Sequence, residues 1–159
     1  MNNRTGFLWV IVGAVVILFS GCAGMIERGM AEASYGPSEA AKRVLVAAVD
    51  SEYKRQIVLA LATRLTELGV ALDVVPLADF EIAQKAKDYQ AWVLVATIKA
   101  GKEDSRVRKA RTAHPNDPRL FVLNTKGGAG TKGDADTTTA ASGTAPETLI
   151  KPILDRLKI

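Results

Sequence analysis

Cys22 is the only cysteine and His114 the only histidine among 159 residues, so a disulfide within the chain or a zinc site of several Cys and His ligands cannot be assembled. His114 lies in the turn-rich stretch Thr112-Ala113-His114-Pro115-Asn116-Asp117-Pro118 with no serine or second-histidine motif beside it. It reads as a solvated loop residue ahead of a proton-transfer group. Two other places carry residue types that grip an anion. In Asp50-Ser51-Glu52-Tyr53-Lys54-Arg55-Gln56, the side chains of Ser51, Lys54 and Gln56 offer a hydroxyl, an ammonium and an amide where a helix begins. Asp50 and Glu52 oppose that use, because their carboxylates repel a phosphate unless Lys54 and Arg55 fold back over the loop. The second place is the turn Ile98-Lys99-Ala100-Gly101-Lys102. Residues 126–133 have the glycine spacing of a phosphate loop but lack the Gly-Lys-Ser/Thr ending that enters a helix, and Asp134 and Asp136 fall outside an EF-hand pattern. No metal site and no catalytic residue is assigned.

These residues need elements to hold them. Val44-Leu45-Val46-Ala47-Ala48-Val49 is an unbroken apolar run, the pattern of a strand buried on both faces. Asp50 and Ser51 offer caps for a helix to about Leu68, with Ile57, Leu61, Leu65 and Leu68 on one stripe and Gly69 as the stop. A strand over 71–77 follows, with Pro76 near an end or edge, and Asp79 caps a shorter helix through Lys87. Residues 91–98 form a second fully apolar strand, succeeded by a charged helix to about Arg111 and a strand over 120–123. A closing amphipathic helix over 147–157 turns Leu149, Ile150, Ile153, Leu154 and Leu157 to the core. Such alternation implies parallel βαβ units. Residues 126–146, rich in glycine, threonine and alanine, read as a mobile low-complexity loop.

The N-terminus has a different character. Arg4 precedes an apolar block over 7–19 that ends in Phe19-Ser20-Gly21-Cys22, the layout of a signal peptide and short for a membrane span. An uncleaved anchor helix is the other reading. The segment resembles a bacterial lipoprotein signal, which implies cleavage before Cys22 and a membrane anchor of diacylglycerol and an acyl chain such as palmitate on that residue. Two or more chains anchor stably. Ala23, in place of an aspartate, implies by the same resemblance the periplasmic face of the outer membrane over the inner membrane. Residues 1–21 are then signal, 22–41 a lipidated cysteine and tether, and 42–159 one domain. As a coil of about 20 residues the tether sets the domain on the order of 25 Å from the bilayer.

Residues 44–68, 74–80 and 96–102 together resemble a flavodoxin-like domain, similar to the branch of menaquinone-dependent protoporphyrinogen oxidase, with Leu120 to Thr125 matching its fourth strand. The resemblance implies an α/β three-layer sandwich, a short parallel sheet of about four strands in the order 2-1-3-4 with helices on both faces, and a crevice that holds FMN. Carried onto this chain, FMN contacts fall on Ser51, Lys54, Gln56, Ile98, Lys99, Ala100, Gly101 and Lys102. The chain departs from the family where its phosphate loop is acidic and where Lys99 replaces a ring-stacking aromatic.

Three functions follow as expectations: a non-catalytic binding or assembly module in the cell envelope, an FMN-dependent electron-transfer or quinone-linked oxidoreductase, or an envelope protein that meets a partner through its basic helix. Lys99, Lys102, Arg106, Arg108, Lys109 and Arg111 are the densest basic stretch of a chain with net charge +4. Arg106, Arg108, Lys109 and Arg111 are candidates for anionic lipid or an acidic protein partner. Nucleic acid is not expected, since the stretch lacks interleaved aromatics.

Overall fold

The computed structural model describes residues 27–126, 137–140 and 145–157. The signal, Cys22 and most of the glycine-rich loop lie outside the described residues. Strands β1 (Ala33–Tyr35), β2 (Arg43–Ala48), β3 (Ala71–Pro76), β4 (Ala91–Ile98), β5 (Leu120–Lys126) and β6 (Thr137–Ala140) form one sheet in the order β1-β3-β2-β4-β5-β6. Helix α1 (Glu52–Glu67) joins β2 to β3, a 3-10 turn (Leu77–Asp79) running into α2 (Phe80–Ala83) joins β3 to β4, and α3 (Ser105–Ala113) joins β4 to β5. Helix α4 (Pro146–Leu157) closes the described chain. Only β1 pairs antiparallel, on β3; every other neighbouring pair is parallel. The chain is thus α/β with a mostly parallel sheet.

β2 sits at the centre because its residues are apolar in both registers. Val44, Val46 and Ala48 face one core with α1 and with Leu149, Ile150 and Ile153 of α4. Leu45, Ala47 and Val49 face a second core with Leu77, Phe80, Val107 and Ala110. Helices therefore cover both faces. Ser51 caps α1, its hydroxyl accepting from the Lys54 amide at 3.3 Å. At the other end Gly69, at φ +72°, lets its own amide reach the Thr66 carbonyl and the Val70 amide reach that of Leu65, the paired bonds of a Schellman stop. Leu68, expected on the buried stripe, is the exposed C-cap instead.

Four expectations are corrected. Among the described residues the sheet has six strands, not four in the order 2-1-3-4. The strands expected from the apolar runs occupy its middle as β3-β2-β4-β5, and an added strand covers each side. The tether does not run to residue 41: β1 pairs Ala33 to Tyr35 with Val74 to Leu72, and the Ser34 hydroxyl donates to Asp73 Oδ1 at 2.7 Å. Within the expected loop, residues 137–140 form β6 along β5. Both additions satisfy a row of edge amides and carbonyls that would otherwise stay open. Finally, α2 ends at Ala83 rather than Lys87, because Lys87 Nζ and Tyr89 Oη turn back to donate to Asp73 Oδ2, each at 2.9 Å. Tyr89 is buried there, and burial together with its bond to the Asp73 carboxylate drives its phenol pKa strongly upward.

Ahead of β1, residues 27–30 cross the carboxyl end of the sheet as a strap. Met30 N–H donates to the Ala48 carbonyl at 3.0 Å, Asp50 N–H to the Arg28 carbonyl at 2.7 Å, and Gly29 bridges Val49. Gly29 has no room for a side chain: a Cβ there would stand 2.5 Å from Pro76 Cβ and 3.1 Å from Pro76 Cα. Gly29→Ala should therefore force the strap off the sheet and cost about 1–3 kcal/mol. A urea-unfolding midpoint equal to that of the parent would contradict this.

Candidate functional site

In an open parallel sheet the crevice lies beyond the carboxyl ends of the strands where chain connections diverge. Here β2 sends its crossover to β3 on one side, while β4 leads outward to β5 on the other. The divergence falls between β2 and β4. The start of α1 and the end of β4 flank it, and the strap crosses it.

Lys54 points into this place from the first turn of α1. Its side chain is only 4% exposed, and its Nζ donates to Thr97 Oγ1 at 2.7 Å and lies 3.5 Å from Ser51 Oγ. Thr97 passes the interaction on, donating to Glu27 Oε1 at 2.9 Å. The Glu27 carboxylate is then shared among three cations: Lys54 at 4.0 Å, Lys99 at 3.3 Å and Arg106 at 3.9 Å. Burial pulls the Lys54 ammonium below the ordinary lysine pKa; Glu27 opposes that shift and Lys99 adds to it.

The turn after β4 supplies Lys99 and Lys102. Their backbones bond reciprocally, Lys99 N–H to the Lys102 carbonyl at 3.0 Å and the reverse at 2.9 Å. Ala100 at φ +48° and Gly101 at φ +73° form the two-residue loop between them, the pattern of a type I′ turn. Asp104 caps α3, accepting from the Arg106 amide at 2.9 Å and from its guanidinium at 2.9 and 2.6 Å. That guanidinium holds the Asp104 carboxyl below the usual range. An open cavity of about 450 Å³ lies between the strap, this turn and α3, bordered by Glu27, Thr97, Lys99, Lys102, Arg106 and Arg108.

The expected anion-binding residues divide. Ser51, Lys54 and Lys99 converge on one group, and Lys102 borders the same cavity. Ile98 is buried in the sheet. Ala100 and Gly101 shape the turn. Gln56 is exposed on α1, two residues from Lys54 and so on another side of the helix. Asp50 is held by Arg55 through bonds of 2.8 and 2.6 Å, which lowers the Asp50 pKa and directs the guanidinium to that carboxylate. Of the basic helix, Arg106 is tied to Asp104 and Glu27, and Arg111 Nε lies 3.6 Å from Glu103. Arg108 and Lys109 are exposed.

Glu27 and Thr97 escaped the sequence reading. Thr97 could have been found as a hydroxyl at the carboxyl end of a central strand, but nothing near Glu27 announces its role. His114 also differs from expectation. Its ring packs 5.0 Å from Trp92 and 6.0 Å from Phe80 at the amino end of the sheet, and its side chain is 18% exposed. Among the described residues no group of three or more His, Cys, Asp or Glu could hold a metal ion, and no helix is long and apolar enough to cross a membrane.

Thr97→Val would strip Lys54 of its shortest bond and Glu27 of its donor, and should cost about 1–3 kcal/mol with faster amide exchange at Met30 and Asp50. Unchanged exchange at both amides would show that the strap does not depend on Thr97. Lys54 also predicts a pH effect. Between its lowered folded pKa and the ordinary value of 10.5, unfolding takes up a proton, so the burden of the buried charge falls as pH rises. The stability of the parent relative to Lys54→Met should increase as the pH rises toward 10.5 in urea titrations, and a flat difference would refute the shift.

Chemically the group is a cation-rich pocket already furnished with a carboxylate from its own chain. Compared with known protein families the chain matches none, and compared with curated proteins it finds no similar chain.

Proposed function

We propose that this chain is a cell-envelope lipoprotein, anchored by lipid on Cys22 at the periplasmic face of the outer membrane. Its flavodoxin-like domain works there as a non-catalytic binding or assembly module. The α/β sheet with helices on both faces suits that fold, and the central strand succession β3-β2-β4-β5 supports the finer assignment.

The observation that carries the non-catalytic reading is the Glu27 carboxylate, held by Thr97 and facing Lys54, Lys99 and Arg106. An FMN phosphate would have to draw on the same cations while lying near a fixed negative charge. Asp50 adds a second carboxylate at the loop, and Arg55 is committed to it. A phosphate at the mouth of α1 therefore meets repulsion from two acids. The alternative, an FMN-dependent electron-transfer or quinone-linked oxidoreductase, would require the strap to leave.

Adding the full chain to FMN should neither quench flavin fluorescence nor raise the melting temperature of the protein. Stoichiometric quenching with a thermal shift would replace this reading with the flavoprotein one.

A further inference from the structure

We propose that the carboxyl-end face of the sheet, with Lys99, Lys102, Arg106 and Arg108, docks on anionic phospholipid headgroups of the bilayer that anchors Cys22. The proposal rests on the lipoprotein reading and adds an orientation to it.

The first argument is covalent. Glu27 is fixed at this face by Thr97, and Arg28 and Met30 are bonded to the sheet immediately after it. Cys22 precedes Glu27 by five residues. At no more than about 3.6 Å per residue, their Cα atoms are at most about 18 Å apart. A lipidated Cys22 therefore keeps this end of the domain next to the membrane, and the long tether expected from the sequence does not intervene.

The second argument is charge. The acids that border the cavity are already engaged: Asp104 by Arg106, Glu103 by Arg111 and by the Asn124 amide at 2.7 Å, and Glu27 by three cations. Asp104 and Glu103 are also withdrawn, with side chains 12% and 8% exposed. Lys102 and Arg108 are exposed on the rim of the open cavity and have no acidic partner among the described residues. Lys99 is more than half exposed while it touches Glu27. Around the cavity the outermost charge is thus positive. The attraction between such cations and an anionic leaflet decays within a Debye length, so it acts only on the face that the anchor holds close.

The test uses the full chain, produced with its anchor, purified in detergent and reconstituted into vesicles. One set is phosphatidylcholine alone; in the other about a third of the lipid is phosphatidylglycerol. Intact mass first reports whether Cys22 is lipidated. Amide exchange over residues 97–108 should then slow in the anionic vesicles relative to the neutral ones, while exchange over α1 stays the same, and added salt should remove the difference. Replacing Lys102→Gln together with Arg108→Gln touches no ion pair among the described residues, and should lower the docking equilibrium constant about thirtyfold, near fivefold per cation. A lipidated chain with equal exchange in both vesicles, or with a difference that the double variant leaves intact, would overturn the docking and leave the anchor standing. Exchange slowed only by an added acidic protein would do the same. An unmodified Cys22 would remove both readings.

Discussion

An ammonium group almost wholly withdrawn from water must find its solvation inside the protein, and Lys54 finds it in a hydroxyl and a carboxylate contributed by distant parts of the chain. Thr97 comes from the end of β4, and Glu27 from the strap. Because both are needed at one point, β2, β4, the start of α1 and residues 27–30 are drawn together at the carboxyl end of the sheet. Lys54 sits three residues into the connection that Ser51 caps, so the helix start and the charge are placed by the same turn. Arg106 and Lys99 then gather on the carboxylate that Lys54 requires. The arrangement is a network, in which loss of Thr97 or Glu27 leaves Lys54 buried and partly unsatisfied.

The same network fills the crevice. In a sheet of this type the mouth between the diverging strands is the natural place for an anionic ligand, since helix N-termini and cations converge there. Here the convergence persists and the anion is internal. Glu27 supplies the negative charge, and the strap that carries it is bonded to Ala48 and Asp50 and packs Gly29 on Pro76. Arg55 does not reach over the loop but neutralises Asp50. The local rule that a helix N-terminus favours an anion is thus met by side chains of the protein itself.

How much of this was legible depends on the range of the forces involved. β2 and β4 were readable because strands buried on both faces must be apolar at every position, and α1 because Ser51 and Gly69 mark its ends chemically. The Lys99 to Lys102 turn was readable from its glycine. β1 was not: three half-exposed residues held by main-chain pairing and by a Ser34 bond to Asp73, 39 positions away, leave no periodic signal. β6 was hidden for a similar reason, since threonine and alanine in a glycine-rich stretch read as a loop. Lys87 and Tyr89 stopped α2 through their long-range bond to Asp73, which no helix-capping rule anticipates. The site divided along the same line. Ser51, Lys54 and Lys99 belong to local motifs that the sequence displays, whereas the Thr97 to Glu27 bond spans 70 positions and leaves no local trace. Gln56 was included by proximity in sequence, and helical geometry turns it away.

A domain that carries its own counterion has a consequence for where it can fold. A crevice lined with cations around an absent cofactor holds like charges in a region of reduced dielectric, and their mutual repulsion opposes the native state until the cofactor arrives. Lys99 disfavours the charged form of Lys54 in this way, and the Glu27 carboxylate opposes it. Within the proposed reading, Glu27 balances these cations from the polypeptide itself. For a chain read as exported to the envelope that property matters, because flavin is made in the cytoplasm and would have to be acquired after crossing the membrane. On the proposed envelope reading, an internal carboxylate at the mouth of the sheet would remove that dependence, with the residue that also ties the start of the strap to the same face.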